Sequence, residues 1–317
     1  MSLGRRPDLR QTDLRRESAP SDARDVDRPA GSAAARWPPL GRFVAGEARL
    51  GDWAGRRPAR AFAYEFLRFG LKQAWACLFG ALMLALLAGT FLWYPRGAAL
   101  ARYDFLVLAA IAIQAALLAL RFETAEEAKV ILVFHLVGTA MEIYKTATGS
   151  WIYPEPSLLR IGGVPLFTGF MYGAIGSYMT RAWRLFDFRF RRHPPMAWVF
   201  ALAAAIYLNF FLDHFGFDAR IALFAASIAV FGRGWIFYKP WRVHRGMPIL
   251  LANALCALFI WFAENIGTFV RAWSYPAQRQ VWTMVGFGKF GSWFLLLIIS
   301  YAIVAAALRP QPLAGAP

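Results

Sequence analysis

Cysteine, histidine and acid are scarce in this chain. Its 317 residues hold 2 cysteines, 4 histidines and 19 acids, against 35 lysines and arginines. The two cysteines, Cys77 and Cys256, each lie inside an apolar stretch, which excludes a disulfide framework. No His-x-x-x-His or comparable ligand pair occurs, so neither a metal nor a cofactor is expected. Charged residues of both signs make up only 17%, while hydrophobic residues reach 58%. Apolar runs of membrane-spanning length recur along most of the chain. These features exclude an ordinary soluble domain and predict a multi-pass membrane protein whose first partner is the lipid bilayer. The net charge of +16 does not make nucleic acid a partner. The arginines sit between apolar runs and in the N-terminal tail, where they set topology.

Residues 1–58 have no apolar run and are rich in Arg, Asp, Ala and Pro. That composition predicts a disordered cytoplasmic tail. No h-region follows the start or the pairs Arg5-Arg6 and Arg15-Arg16, so neither a cleavable signal peptide nor a twin-arginine signal is expected. From 59 to 73, apolar residues alternate with Arg60, Glu65, Arg68 and Lys72, which predicts an interfacial helix.

What the chain does contain is one motif written twice: Glu, eight residues, then Trp-x-Tyr-Pro. Glu142 leads to Trp151-Ile152-Tyr153-Pro154, and Glu264 to Trp273-Ser274-Tyr275-Pro276. The offset is 122 residues, from 142 to 264 and from 151 to 273, and it also relates Thr146 to Thr268. A fixed order at fixed spacing predicts an internal duplication. The fold class is then an all-α polytopic bundle of about eight spans. They are placed at 73–93, 103–121, 128–145, 164–183, 196–212, 218–238, 247–266 and 288–308. Residues 59–183 would form the first four-helix repeat and 184–309 the second. Arg184, Arg189, Arg191, Arg192 and His193 follow the fourth helix, and Lys239, Arg242, His244 and Arg245 the sixth. These basic loops face the cytoplasm, so both termini do too, and the Trp-x-Tyr-Pro segments lie at the outer interface. Four helices separate the copies, which makes the repeat parallel.

Each repeated glutamate closes a long apolar segment, where a carboxylate is costly and points to function. His135, Thr139 and Glu142 fall on one helix stripe and could handle a proton or form a partial metal site. Asn265 adjoins Glu264, Lys289 opens the last helix as a counter-charge, and Asp213 adds a third acid at the outer level. Lys145 is a second possible counter-charge. Glu142, Glu264 and His135 are the catalytic candidates. Trp151, Tyr153, Trp273 and Tyr275, with Asn265, Lys289 and Asp213, are the substrate-binding ones. Trp and Tyr are ordinary interfacial residues. Their matched spacing points instead to an aromatic vestibule over the acids. Gly169, Gly173 and Gly176 fit close helix packing better than phosphate binding.

The run from Glu142 to Glu155, followed by Gly163-Val164-Pro165-Leu166-Phe167-Thr168-Gly169-Phe170-Met171-Tyr172, resembles the YoaT-like bacterial integral membrane family, domain of unknown function 817. Glu264-Asn265-Ile266-Gly267-Thr268 with Trp273 to Gln278 fits the same family, and the resemblance covers about 57–308. It implies an integral membrane protein and brings no activity with it. A shorter likeness involves Glu142, Thr148-Gly149, Tyr153 and Gly163-Val164-Pro165-Leu166. These residues are similar to a pattern in membrane carotenoid hydratases and lycopene cyclases, though Trp-x-Tyr-Pro departs from it. Those enzymes protonate a polyene. Three functions stay open on the sequence. The first is a lipid-phase acid/base enzyme acting on an apolar, isoprenoid or carotenoid-like small molecule. The others are a small-solute or ion transporter and an accessory membrane protein. The expected location is the bacterial cytoplasmic (inner) membrane.

Overall fold

A computed structural model describes residues 46, 49–95, 97–212 and 215–314. Most of the tail predicted over 1–58, and Asp213, lie outside the described residues. Internal contacts divide the chain after Tyr64, and everything that follows concerns the unit Glu65–Pro317 unless stated.

Helices dominate, as the apolar runs require. The residues expected as an interfacial helix, 59–73, lie in α1 (Pro58–Ala76), and most of the first predicted span is α2 (Leu78–Trp93); the two helices are bent by 63° at Cys77. At the bend the Trp75 carbonyl accepts from Arg181 Nη1 at 3.0 Å, which satisfies a backbone group beside the break. Then follow α3 (Arg102–Ala119), α4 (Ala125–Ala147), α5 (Phe167–Phe186), α6 (Met196–Leu212), α7 (Arg220–Phe231), α8 (Ile249–Phe269) and α9 (Gly288–Leu308). Thr124 and Glu127 begin α4 with a reciprocal capping box, so a helix starts there despite three acids in five residues.

Three features depart from the sequence reading. The helix expected over 218–238 ends at Phe231. Gly232 and Gly234 break it, and Trp235–Tyr238, aromatic and β-branched, forms strand β4 instead. Strand β3 (Arg189–Arg191) comes from the basic loop after α5, and β5 (Arg245–Pro248) from the loop after α7. Both pair antiparallel with β4, Arg189 opposite Phe237 and Tyr238 opposite Arg245. The two basic loops are therefore one sheet. A third departure is a two-residue hairpin, β1 (Arg160–Ile161) with β2 (Val164–Pro165), that leads into α5.

Among the described residues four helices, α3, α4, α8 and α9, are long and apolar enough to cross a membrane, and the bent pair α1–α2 would make a fifth. α5 has the length but carries Arg181 and Arg184; α6 and α7 are apolar but shorter. Packing recurs along the chain: α4 lies on α5 and α8 on α9, α2 on α5 and α6 on α9, α2 on α3 and α6 on α7. Among the described residues the largest fully buried side chain is Arg181. It meets Glu123 Oε1 at 2.7 Å, and Ser177 and Gln114 also bind that carboxylate. Neither Arg181 nor Glu123 was singled out from sequence.

Candidate functional site

The two Trp-x-Tyr-Pro segments meet. Ile152 and Ser274 exchange two backbone hydrogen bonds of 2.9 Å in an isolated antiparallel bridge. The Trp151 and Tyr275 rings stand edge to face, 6.1 Å between centroids. This pairing brings the ends of α4 and α8 to one place.

Glu142 is 5% exposed and Glu264 4%, so both carboxylates depend on protein donors. Glu142 Oε2 accepts from Trp151 Nε1 at 2.7 Å and from the Tyr153 hydroxyl at 2.5 Å. Its Oε1 accepts from the Tyr172 hydroxyl at 2.7 Å. Glu264 Oε1 accepts from the Tyr275 hydroxyl, and Oε2 from Trp293 Nε1 at 2.6 Å. In both copies the tyrosine eleven residues after the glutamate binds it. The copies differ in the tryptophan. Trp151 donates to its own glutamate, whereas Glu264 takes Trp293 from α9. Trp273 lays its ring over Gly267, where a Cβ would overlap it. Gly138 likewise leaves room for the Tyr172 ring beside Glu142. Burial, and next the neighbouring carboxylate, hold the phenols of Tyr153 and Tyr275 well above their ordinary range, so both act as donors.

Lys289 Nζ lies 4.5 Å from the Tyr275 ring centroid and 5.4 Å from that of Trp151. A cation therefore sits against two electron-rich faces at the level of the acids.

Beneath this layer is a cavity of about 810 Å³. Glu142, Glu264, Trp151, Tyr153, Trp273, Tyr275 and Lys289 line it, together with Tyr172 and Trp293. Most of the remaining wall is Ala, Leu, Ile, Met and Phe, extending to Phe186, Phe231 and Tyr238.

The structure thus brings together seven of the residues singled out from sequence. Others lie off the cavity wall. His135 packs edge-on to Phe170 at 4.4 Å and against Gly169, where a Cβ would lie 2.7 Å from Nδ1. Asn265 donates to Trp261 O at 2.8 Å and accepts from Val285 N at 2.9 Å, tying the loop before α9 to α8. Lys145 is buried and is also off the wall. Gly169, Gly173 and Gly176 all face α4 side chains, the close packing expected of them. Tyr172 and Trp293 were missed. Trp293 falls one turn after Lys289 on the same stripe, and that spacing was the available signal. Among the described residues no three His, Cys, Asp or Glu side chains cluster to hold a metal.

Fold and site together define a mostly helical protein with several apolar helices of membrane-crossing length and a pair of buried, aromatic-bound carboxylates. The chain matches the family described as protein of unknown function (DUF817) over residues 65–301, and it belongs to that family. It is 43% identical over 242 residues to the uncharacterized protein YoaT of Bacillus subtilis (strain 168), covering 76% of this chain and 91% of that one. No solved structure matches it.

Proposed function

We propose that the protein is a lipid-phase acid/base enzyme of the bacterial cytoplasmic membrane, acting on an isoprenoid or carotenoid-like chain. One observation carries the reading: two buried carboxylates stand at one end of an apolar cavity of about 810 Å³. Acids fully bound by protein donors in so apolar a wall have few structural uses.

In this reading Glu264, with two donors, is the acid, and Glu142, with three, remains the anion. The Glu264 O–H bond breaks as its proton joins one carbon of a C=C bond, and the π pair becomes the new C–H bond. The other carbon becomes cationic. The Glu142 charge and the faces of Trp151, Tyr153, Trp273 and Tyr275 stabilise it. The cation then loses a proton from a neighbouring carbon to the Glu264 carboxylate, which isomerises the chain. Alternatively, water or a second double bond captures it and returns a proton to Glu264. His135 would act only through α4, as a positioning residue.

The bundle is read as eight spans in a parallel 4+4 repeat with both termini in the cytoplasm. The matched helix contacts, the Ile152–Ser274 pairing and the shared Tyr-to-Glu spacing support it. A transporter for a small solute or ion is the second reading, favoured by the paired acids. The apolar wall below them weighs against an ion path.

Purified protein incubated with an isoprenoid extract in heavy water tests the enzyme reading. Deuterium should enter one lipid species with the wild type, and not with Glu264→Gln. Equal labelling with both would overturn it.

A further inference from the structure

Below the acids the same cavity carries a second group of polar side chains that the proton transfer does not use. Gln73 of α1, Tyr178 of α5 and Cys256 of α8 all line it. The Tyr178 hydroxyl donates to Gln73 Oε1 at 3.2 Å and lies 3.6 Å from Cys256 Sγ. Three separate helices thus bring polar atoms together on a mostly apolar wall, where each costs free energy unless it is bonded.

Their depth follows from helix geometry. Tyr178 lies six residues beyond Tyr172 on α5, and Cys256 eight residues before Glu264 on α8. At the α-helical rise, the two levels are roughly 9–12 Å apart. Their donor count is the second point. The phenol brings one hydrogen and the amide two, and their mutual bond uses one. With the amide turned over, the phenol accepts instead and hydrogens again remain. In either arrangement the pair, which lines the cavity, keeps at least one hydrogen beyond its mutual bond.

We infer that Tyr178 and Gln73 form a second binding station, which takes a hydroxyl or carbonyl oxygen on an isoprenoid-like chain. The chain's reacting double bond then lies roughly 9–12 Å away, at Glu264. The preferred ligand is an oxygenated isoprenoid, not a plain hydrocarbon. This assignment rests on the cavity being a lipid site, as read above, but not on proton transfer.

Cys256 is a built-in reporter beside the station. In the full chain in detergent, Cys77→Ser leaves Cys256 as the single thiol, since the chain has only two cysteines. The rate at which N-ethylmaleimide alkylates it is then measured with farnesol and with farnesane, the saturated hydrocarbon of the same skeleton. Farnesol should slow alkylation saturably, and at concentrations about fivefold lower than farnesane, the difference expected of one buried hydrogen bond. Tyr178→Phe combined with Gln73→Leu should remove the difference, while Tyr178→Phe alone should reduce it. Equal protection by the two probes, or none by either, would overturn the station. So would a farnesol preference that survives the double substitution but is lost in Glu264→Gln. A farnesol preference without deuterium uptake in heavy water would leave the station standing and overturn the acid chemistry.

Discussion

Ile152 and Ser274, 122 residues apart and at equivalent places in the two Trp-x-Tyr-Pro segments, pair with each other through two backbone hydrogen bonds of 2.9 Å. The two segments are thus tied together at one bridge. The pairing fixes the two loops at one level, and with them the ends of α4 and α8 that carry Glu142 and Glu264.

The first prediction follows from that level. Reporter fusions at Pro156 and Ala277 should both read the outer side of the membrane, and fusions at Arg192 and Arg242 the cytoplasm. Opposite readings at Pro156 and Ala277 cannot coexist with the loop pairing and would contradict the parallel repeat.

Arg181 and Glu123 form an ion pair with side chains 0% and 1% exposed. Removing one partner leaves the other buried and unpaired. Arg181→Met should therefore cost about 3–5 kcal/mol of stability. Glu123→Gln added to it should recover part of that loss, because the stranded charge is gone. Unfolding in mixed micelles measures both variants, and an Arg181→Met protein as stable as the wild type would refute the pairing.

A Cβ at Gly138 would overlap the Tyr172 ring, which donates to Glu142 at 2.7 Å. Gly138→Ala should cost about 1–3 kcal/mol from overpacking. It should also lower deuterium transfer, because Tyr172 is pushed off the carboxylate. Loss of stability with full transfer would show that Tyr172 does not serve the site.

His193 lies in the loop after α5 and meets the Tyr301 hydroxyl at 2.6 Å. Burial lowers its pKa below the ordinary value, opposed by a hydrogen bond that its ring donates to the Pro194 carbonyl. The unfolded chain therefore binds a proton that the folded one refuses. His193's contribution to stability is complete above the unfolded value, about 6.5, and is lost as pH falls from there toward the folded value. Thermal melting should thus be lower at about pH 5.5 than at about pH 7.5, and His193→Gln should shrink that difference. An unchanged difference would place the pH dependence elsewhere.

Much of the site was legible because membrane segments offer few places for a carboxylate. Glu142 and Glu264 stood out by cost, and the aromatic pairs by repeated spacing. Tyr172 and Trp293 escaped because each sits on a helix opposite the acid it binds, and only the one-turn spacing of Trp293 from Lys289 left a trace. Arg181, inside the span expected over 164–183, was passed over, because a sequence does not say that Glu123 will fold beneath it. Trp235 to Tyr238 continue an apolar run, and only the glycines at 232 and 234 and the β-prone residues after them hinted at a strand. His135 shares the Glu142 stripe, but the α5 glycines turn its ring against Phe170 and off the cavity wall.

The central claim is that Glu142 and Glu264 act as one site on a membrane lipid. Lipid extracts tell most directly, from a strain lacking the protein that carries the wild type, Glu142→Gln or Glu264→Gln. All three proteins must first be shown to insert to the same level. The account predicts one apolar species that accumulates without the protein, disappears with the wild type and persists with either glutamine variant. Glutamine variants that restore the wild-type lipid profile would contradict it.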